Sequence, residues 1–160
     1  IGRRFSKMGS KSDFEVLDLS ERVQRIVDYL AIRMPTLGKK VELINDIQAG
    51  ISIQANGSLL AWSIENIIRN GIDAIDRNDG LVSVSLRKEK DGIKIRIQDN
   101  GKGIPKKDWR NIFRPGFSTK QAGWGLGLSL SSRIVEEIHE GKLYVVESTA
   151  ENGTIIEISL

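Results

Sequence analysis

Apolar residues recur at helical spacing from Ser20 to Met34, where Val23, Ile26, Val27, Leu30 and Met34 share one side and Pro35 stops the run. A longer stretch, Ser58 to Arg77, puts Leu60, Ala61, Ile64, Ile67, Ile68, Gly71, Ile72 and Ile75 on one side of the helical wheel and Asn66, Asn70 and Asp73 on the other. A third helix is predicted from Gly125 to Glu140, with Leu126, Leu130, Ile134, Val135 and Ile138 as its stripe and Gly141 as its stop. Between these lie strand patterns: Val41 to Asn45 and Ile51 to Gln54 about a turn at Gly50, then Leu81 to Arg87 and Ile93 to Gln98 joined through Asp91-Gly92. A last hairpin, Leu143 to Glu147 with Thr154 to Leu160, turns at Asn152-Gly153. Gly101 to Gly123 has no such regularity and holds Pro105, Pro115 and four glycines, which predicts a long functional loop with one short helix at most, Lys106 to Phe113. The order of elements predicts an α+β fold, a two-layer α/β sandwich whose mixed or antiparallel sheet is covered by helices on one face.

At 160 residues the chain has the size of one domain. Residues 1–12 are basic (Arg3, Arg4, Lys7, Lys11) and read as a connector, and the start at Ile1 suggests a piece of a longer protein. There is no cysteine and one histidine, so thiolate chemistry is excluded and a zinc centre is disfavoured. No apolar run has the length of a membrane span. The net charge of +3 comes from scattered cations, which argues against a nucleic-acid partner.

That leaves oxygen ligands, backbone and cations as the available chemistry. Asn66 and Asn70 are one helical turn apart, so their carboxamides project side by side; a magnesium ion that shares its shell with water and phosphates needs no more than one such oxygen, while a solvated helix face is the plain alternative. Asp99 continues the parity of Ile93, Ile95 and Ile97, and so aims a carboxylate at the apolar side of its strand, where it needs a donor such as an adenine amino group. Gly101 and Gly103 would let a purine lie against bare main chain. Their spacing is no dinucleotide fingerprint, because Lys106 stands where a third glycine would fall, and the chain has no Gly-x-x-x-x-Gly-Lys phosphate loop. Gly123, Gly125 and Gly127 lead into the third helix, whose amides would attract phosphates. The loop before them carries Lys102, Lys106, Lys107, Arg110, Arg114 and Lys120 against Asp108 alone, and Lys120 is the cation chosen for a phosphate contact. Phe113 and Phe117 read as loop anchors, and His139, with no nucleophile or second histidine near it in sequence, as structural.

Taken in order, Glu65-Asn66-Ile67-Ile68-Arg69-Asn70-Gly71, Asp99-Asn100-Gly101-Lys102-Gly103-Ile104-Pro105, Ile112-Phe113-Arg114-Pro115-Gly116-Phe117-Ser118-Thr119-Lys120 and Gly123-Trp124-Gly125-Leu126-Gly127-Leu128 resemble the asparagine, first glycine, phenylalanine and second glycine boxes of sensor histidine kinases. The resemblance implies a Bergerat fold over residues 13–160, with a mobile ATP lid at 101–123 and a connector at 1–12 from a dimerisation and phosphoacceptor domain. By position it implies Asn70 as the magnesium ligand, Asn66 beside the triphosphate, and Asp99 reading adenine above Gly101 and Gly103. Thr154 would support the base, and Gly123, Gly125, Leu126 and Gly127, with Lys120, would hold the phosphates. The implied activity is transfer of the ATP γ-phosphate to a histidine on the dimerisation domain, with a response-regulator receiver domain as the next partner and a cytoplasmic location. Trp124, Gly71 and Asp73 depart from the family pattern, which more often has a small residue, an alanine and a basic residue there. Two rivals remain at this point: an ATP-hydrolysing member of the same fold, with Glu65 beside Asn66, and a non-catalytic interaction module.

Overall fold

The structure, a computed structural model, describes residues 13–34, 40–117 and 127–160. Strand β1 (Glu15–Asp18) runs into helix α1 (Leu19–Arg33), followed by β2 (Val41–Ile47), β3 (Ser52–Ala55), helix α2 (Gly57–Asp73), β4 (Gly80–Glu89) and β5 (Gly92–Asp99). Two 3-10 turns, Lys106–Asp108 and Asn111–Phe113, precede helix α3 (Gly127–Arg133), which widens into a π turn at Ile134–Ile138; β6 (Lys142–Thr149) and β7 (Gly153–Ser159) close the chain. The main sheet has five strands in the order β2-β4-β5-β7-β6, parallel only between β2 and β4. This is the expected two-layer α+β sandwich with a mixed sheet.

Alternation decides which face the helices cover. Val82, Val84 and Leu86 of β4 and Ile93, Ile95 and Ile97 of β5 are buried, and they meet Leu60, Ile64, Ile67, Ile68 and Ile72 of α2 in one core cluster. The opposite face is polar and needs no second helical layer. There Glu157 is buried under its own partners: Arg96 Nε donates to it at 2.7 Å, and the Tyr144 hydroxyl donates to its other oxygen, which pushes the phenol up to about 12.

Both long helices start on side-chain caps. The Asp18 side chain accepts from Glu21 N–H at 3.0 Å, and the Asn56 side chain accepts from Leu59 N–H at 3.2 Å. Helix α2 stops at Asp73, one turn before its apolar pattern ends at Arg77. Ile75 is turned into the core instead, and the freed carbonyl of Ala74 accepts the N–H of Lys102 at 3.0 Å.

Other differences from the sequence expectation have local causes. Strands β2 and β3 flank the turn at Gly50 as expected, but they belong to different sheets: β2 joins the large sheet, whereas β3 pairs antiparallel with β1, a strand too short to be read from its pattern. The segment Lys106 to Phe113 breaks into two 3-10 turns. The third helix ends not on Gly141 but through the π turn, in which His139 N–H reaches Ile134 O at 3.1 Å, with Glu140 in the left-handed region at φ 56°. Gly141 is there for space, since a Cβ would stand 2.4 Å from the Ser159 carbonyl oxygen.

The weight borne by the α2 stripe sets a direct check. Ile64 is fully buried and Ile32 is 78% exposed, so Ile64→Ala is expected to lower the unfolding free energy by about 3 kcal/mol in a denaturant titration. Ile32→Ala is expected to change it by less than about 0.5 kcal/mol.

Candidate functional site

Asp99 ends β5 with its side chain on the core face, only 5% exposed, between Val82 of β4 and Thr154 of β7 in register. Its Oδ1 accepts the Gly101 N–H at 2.8 Å, and the Thr154 backbone N–H also donates to it. These two bonds favour the charged form, but burial outweighs them and pushes the carboxyl up to about 6. An acid in this state holds unused acceptor capacity and gains from a further donor.

The turn after Asp99 is wedged between the end of α2 and the last hairpin. A Cβ on Gly101 would stand 2.4 Å from the Ala74 carbonyl oxygen, and Gly103, at φ 79°, comes equally close to the Thr149 carbonyl. Asn100 ties the turn to β4: its Oδ1 accepts the Leu81 N–H at 2.7 Å and its Nδ2 donates to the Asp79 carbonyl at 3.0 Å. Beyond Gly103, the Ile104 N–H donates to Ser148 Oγ at 2.7 Å, Ser148 and Thr154 hydroxyls lie 2.7 Å apart, and Trp109 Nε1 donates to the Ile104 carbonyl at 3.0 Å. Phe113 and Phe117 are partly buried against the core and anchor the described part of the loop.

Helix α2 passes directly over this carboxylate. Its Gly71 is the residue at the crossing: a Cβ there would meet Asp99 Cβ at 3.5 Å and Oδ2 at 3.6 Å, ordinary contact distances that an alanine methyl would fill. Asn70, the preceding residue, is half-buried, and Asp73 is exposed. One turn back along the axis, about 6 Å away, Asn66 Nδ2 donates to Ser131 Oγ of α3 at 3.2 Å. Gly127, the first residue of α3, makes room for that carboxamide, since a Cβ would lie 2.9 Å from Asn66 Nδ2. The structure thus sets Asp99, with Gly101 and Thr154, against the core face of α2 at Gly71, and Asn66 with Gly127 on the other side of the same helix, with Asn70 between Asn66 and Gly71 in sequence. Gly103 sits one step outward. Lys120, Gly123, Gly125 and Leu126, like Trp124, lie outside the described residues.

His139 stands apart from these groups. Its Nε2 accepts the Asn56 N–H at 3.1 Å, its Nδ1 lies 2.8 Å from the Ile134 carbonyl, and Phe14 stacks on the ring at 5.0 Å. Burial holds its pKa below the ordinary histidine value, so the neutral Nδ1–H form joins the start of α2 to the π turn. Ser148 and Ser131 were not anticipated from the sequence. Ser148 was hidden by a β-bulge between Val145 and Glu147, which reverses the parity of β6 and sets Ser148 opposite Thr154. Ser131 lacked any signal but its position in a small-residue run.

The family profile described as histidine kinase-, DNA gyrase B-, and HSP90-like ATPase matches residues 55–160. Sporulation kinase C of Bacillus subtilis is 36% identical over 111 residues, 69% of this chain and 25% of that protein. Among solved structures, the mycobacterial sensor histidine kinase MprB superposes with a TM-score of 0.79 at 25% identity, covering 92% of this chain and 96% of that one. The catalytic domain of histidine kinase ThkA has the same fold, with a TM-score of 0.80 at 22% identity and coverage of 92% and 94%; ThkA has also been solved in complex with the response regulator protein TrrA, where the TM-score is 0.77 at 20% identity, with coverage of 92% and 41%. The chain spans about a quarter of the length of the first curated relatives it matches.

The raised Asp99 pKa has a definite sign. Ionised Asp99 is penalised in the fold, so its cost is absent below the ordinary value of 3.8, grows between 3.8 and about 6, and is complete above that. Asp99→Asn keeps the acceptor for Gly101 without the charge. Ligand-free Asp99→Asn protein is therefore expected to be more stable than the parent at pH 7, by on the order of 3 kcal/mol, and no more stable at pH 3.5, as read by denaturant titration at the two pH values.

Proposed function

Because the chain belongs to the family of histidine kinase-, DNA gyrase B- and HSP90-like ATPases, we propose that it is the ATP-binding catalytic domain of a two-component sensor histidine kinase. In this reading the adenine amino group donates to Asp99, the base lies over Gly101 and Gly103, and Thr154 flanks it. The triphosphate runs along α2 toward Asn70, Asn66 and Gly127, with Lys120, Gly123, Gly125 and Leu126 completing its contacts from the lid. The observation that carries the reading is the buried carboxylate at the end of β5, which has acceptor capacity to spare.

Magnesium fits the donor set. Among the described residues no three His, Cys, Asp or Glu side chains gather to hold an ion, so a hard cation here would take amide oxygen, water and substrate phosphate, as magnesium does. Asn70 is the residue that would hold it, and the bound ion would neutralise phosphate charge. The chain's own part in phosphoryl transfer is alignment and electrostatics: Asp99 and the glycine turn fix the base, and the α2 amides and lid cations orient the tail.

Phosphate is passed to a histidine on the dimerisation domain of the same protein, and from there to a receiver domain such as the response regulator bound by ThkA. The first 12 residues lead from that dimerisation domain. No helix among the described residues is long and apolar enough to cross a membrane, and we assign the domain to the cytoplasmic side of its parent kinase. The hydrolytic alternative needs a base near the terminal phosphate. Asn66 cannot take a proton from water, and the neighbouring Glu65 is held by Arg69, whose Nε donates to it at 3.0 Å. That arrangement supports transfer over hydrolysis.

The test is a titration of the chain with ATP, with and without magnesium, followed by incubation with γ-labelled ATP and the parent kinase's dimerisation domain. Magnesium-dependent binding, label on the dimerisation domain and none on this chain are expected, with Asp99→Asn weakening ATP binding about tenfold or more. Fast hydrolysis by the isolated chain that Glu65→Ala abolishes would favour the ATPase, and no binding at millimolar ATP would favour a non-catalytic module.

A further inference from the structure

Three side chains lie in one row across three strands. Asp99 of β5 pairs with Thr154 of β7, which pairs in turn with Ser148 of β6, and directly opposed residues share a face and touch. All three are buried, at 5%, 3% and 8% exposure. The row ends at Ser148, which receives the Ile104 N–H from the segment that follows the glycine turn.

Proton accounting sets the direction of the row. A serine hydroxyl has one proton and two lone pairs. Ser148 Oγ uses one lone pair on Ile104 N–H, and its remaining hydroxyl contact is Thr154 Oγ1 at 2.7 Å. If Thr154 donated, the Ser148 proton would have no acceptor among the described residues. If Ser148 donates, the leftover proton belongs to Thr154, beside Asp99, where a ligand can take it.

We propose that Ser148 is a positioning residue for base selection: by donating to Thr154 it makes the Thr154 hydroxyl a hydrogen-bond donor next to the Asp99 acceptor. An acceptor and a donor side by side match adenine, which presents an amino donor next to a ring-nitrogen acceptor. They oppose guanine, which presents a carbonyl acceptor next to a ring N–H. Ser148 touches no part of the nucleotide itself and acts through Thr154. The inference rests on the nucleotide-binding reading above and adds to it the residue that orients the second half of the base contact.

The experiment is calorimetric measurement of Mg-ATP and Mg-GTP affinity for the chain and for Ser148→Ala, Ser148→Thr, Thr154→Val and the Ser148→Ala/Thr154→Val pair, with thermal unfolding to confirm that each is folded. Ser148→Ala is expected to lower the preference for ATP over GTP about tenfold, the size of one oriented hydrogen bond. Ser148→Thr is expected to keep the preference, and adding Ser148→Ala to Thr154→Val to change it no further. Equal losses for both nucleotides in Ser148→Ala, or no change in either, overturn the proposal, since a merely structural role would not alter the ratio. Should Ser148→Ala not fold, Thr154→Val decides: an undiminished preference there overturns it as well. A parent chain that binds neither nucleotide removes both this proposal and the function it rests on, whereas a parent that prefers ATP with indifferent variants removes this proposal alone.

Discussion

A carboxylate buried at the end of a strand is the constraint around which this domain is arranged. The apolar parity of β5 carries Asp99 into the core, and two backbone N–H groups do not offset the loss of water, which is why its pKa stands near 6. Natural folds rarely keep such a group without a use, because replacing it would raise stability. Much else nearby serves to hold the acid in place. The early end of α2 frees the Ala74 carbonyl for Lys102, Asn100 clamps the turn to β4, and Ser148 fastens Ile104 to the final hairpin.

The same geometry joins the base end of the site to the phosphate end. Helix α2 covers Asp99 with Gly71 and reaches α3 with Asn66, so one rigid rod carries residues of both. Because Gly71 belongs to the same buried side as Leu60, Ile64, Ile67, Ile68 and Ile72, which is locked into the sheet, displacement of one end of the rod is resisted by the whole core. Placing the reacting phosphate relative to a base held so firmly is what phosphoryl transfer asks of a protein that contributes little covalent chemistry.

Much of this was legible in the sequence because it depends on periodicity. The stripe of α2, the alternation of β4 and β5 and the inward aim of Asp99 are all read by counting positions. What escaped depends on partners distant in sequence. The short strand β1 exists only because β3 pairs with it, and β2 parts from β3 because β4 offers a parallel edge. Past the end of α2 at Asp73, the Ala74 carbonyl is taken by the N–H of Lys102 from a later turn. Ser148 sits behind a bulge that no alternation rule anticipates, and Asn66 meets Ser131 through a helix contact across 65 residues of chain. Lys120, Gly123, Gly125 and Leu126 rest on the motif resemblance and the family match.

The account's central claim is that the Asp99 carboxylate receives the adenine amino group, and its most direct test is the titration of that carboxyl by carbon-13 NMR in the free chain and with saturating Mg-ATP. A free value near 6 that falls clearly when nucleotide binds is the expected result, because a new donor favours the ionised form. The same midpoint in both states, or an ordinary aspartate value in the free chain, would contradict it.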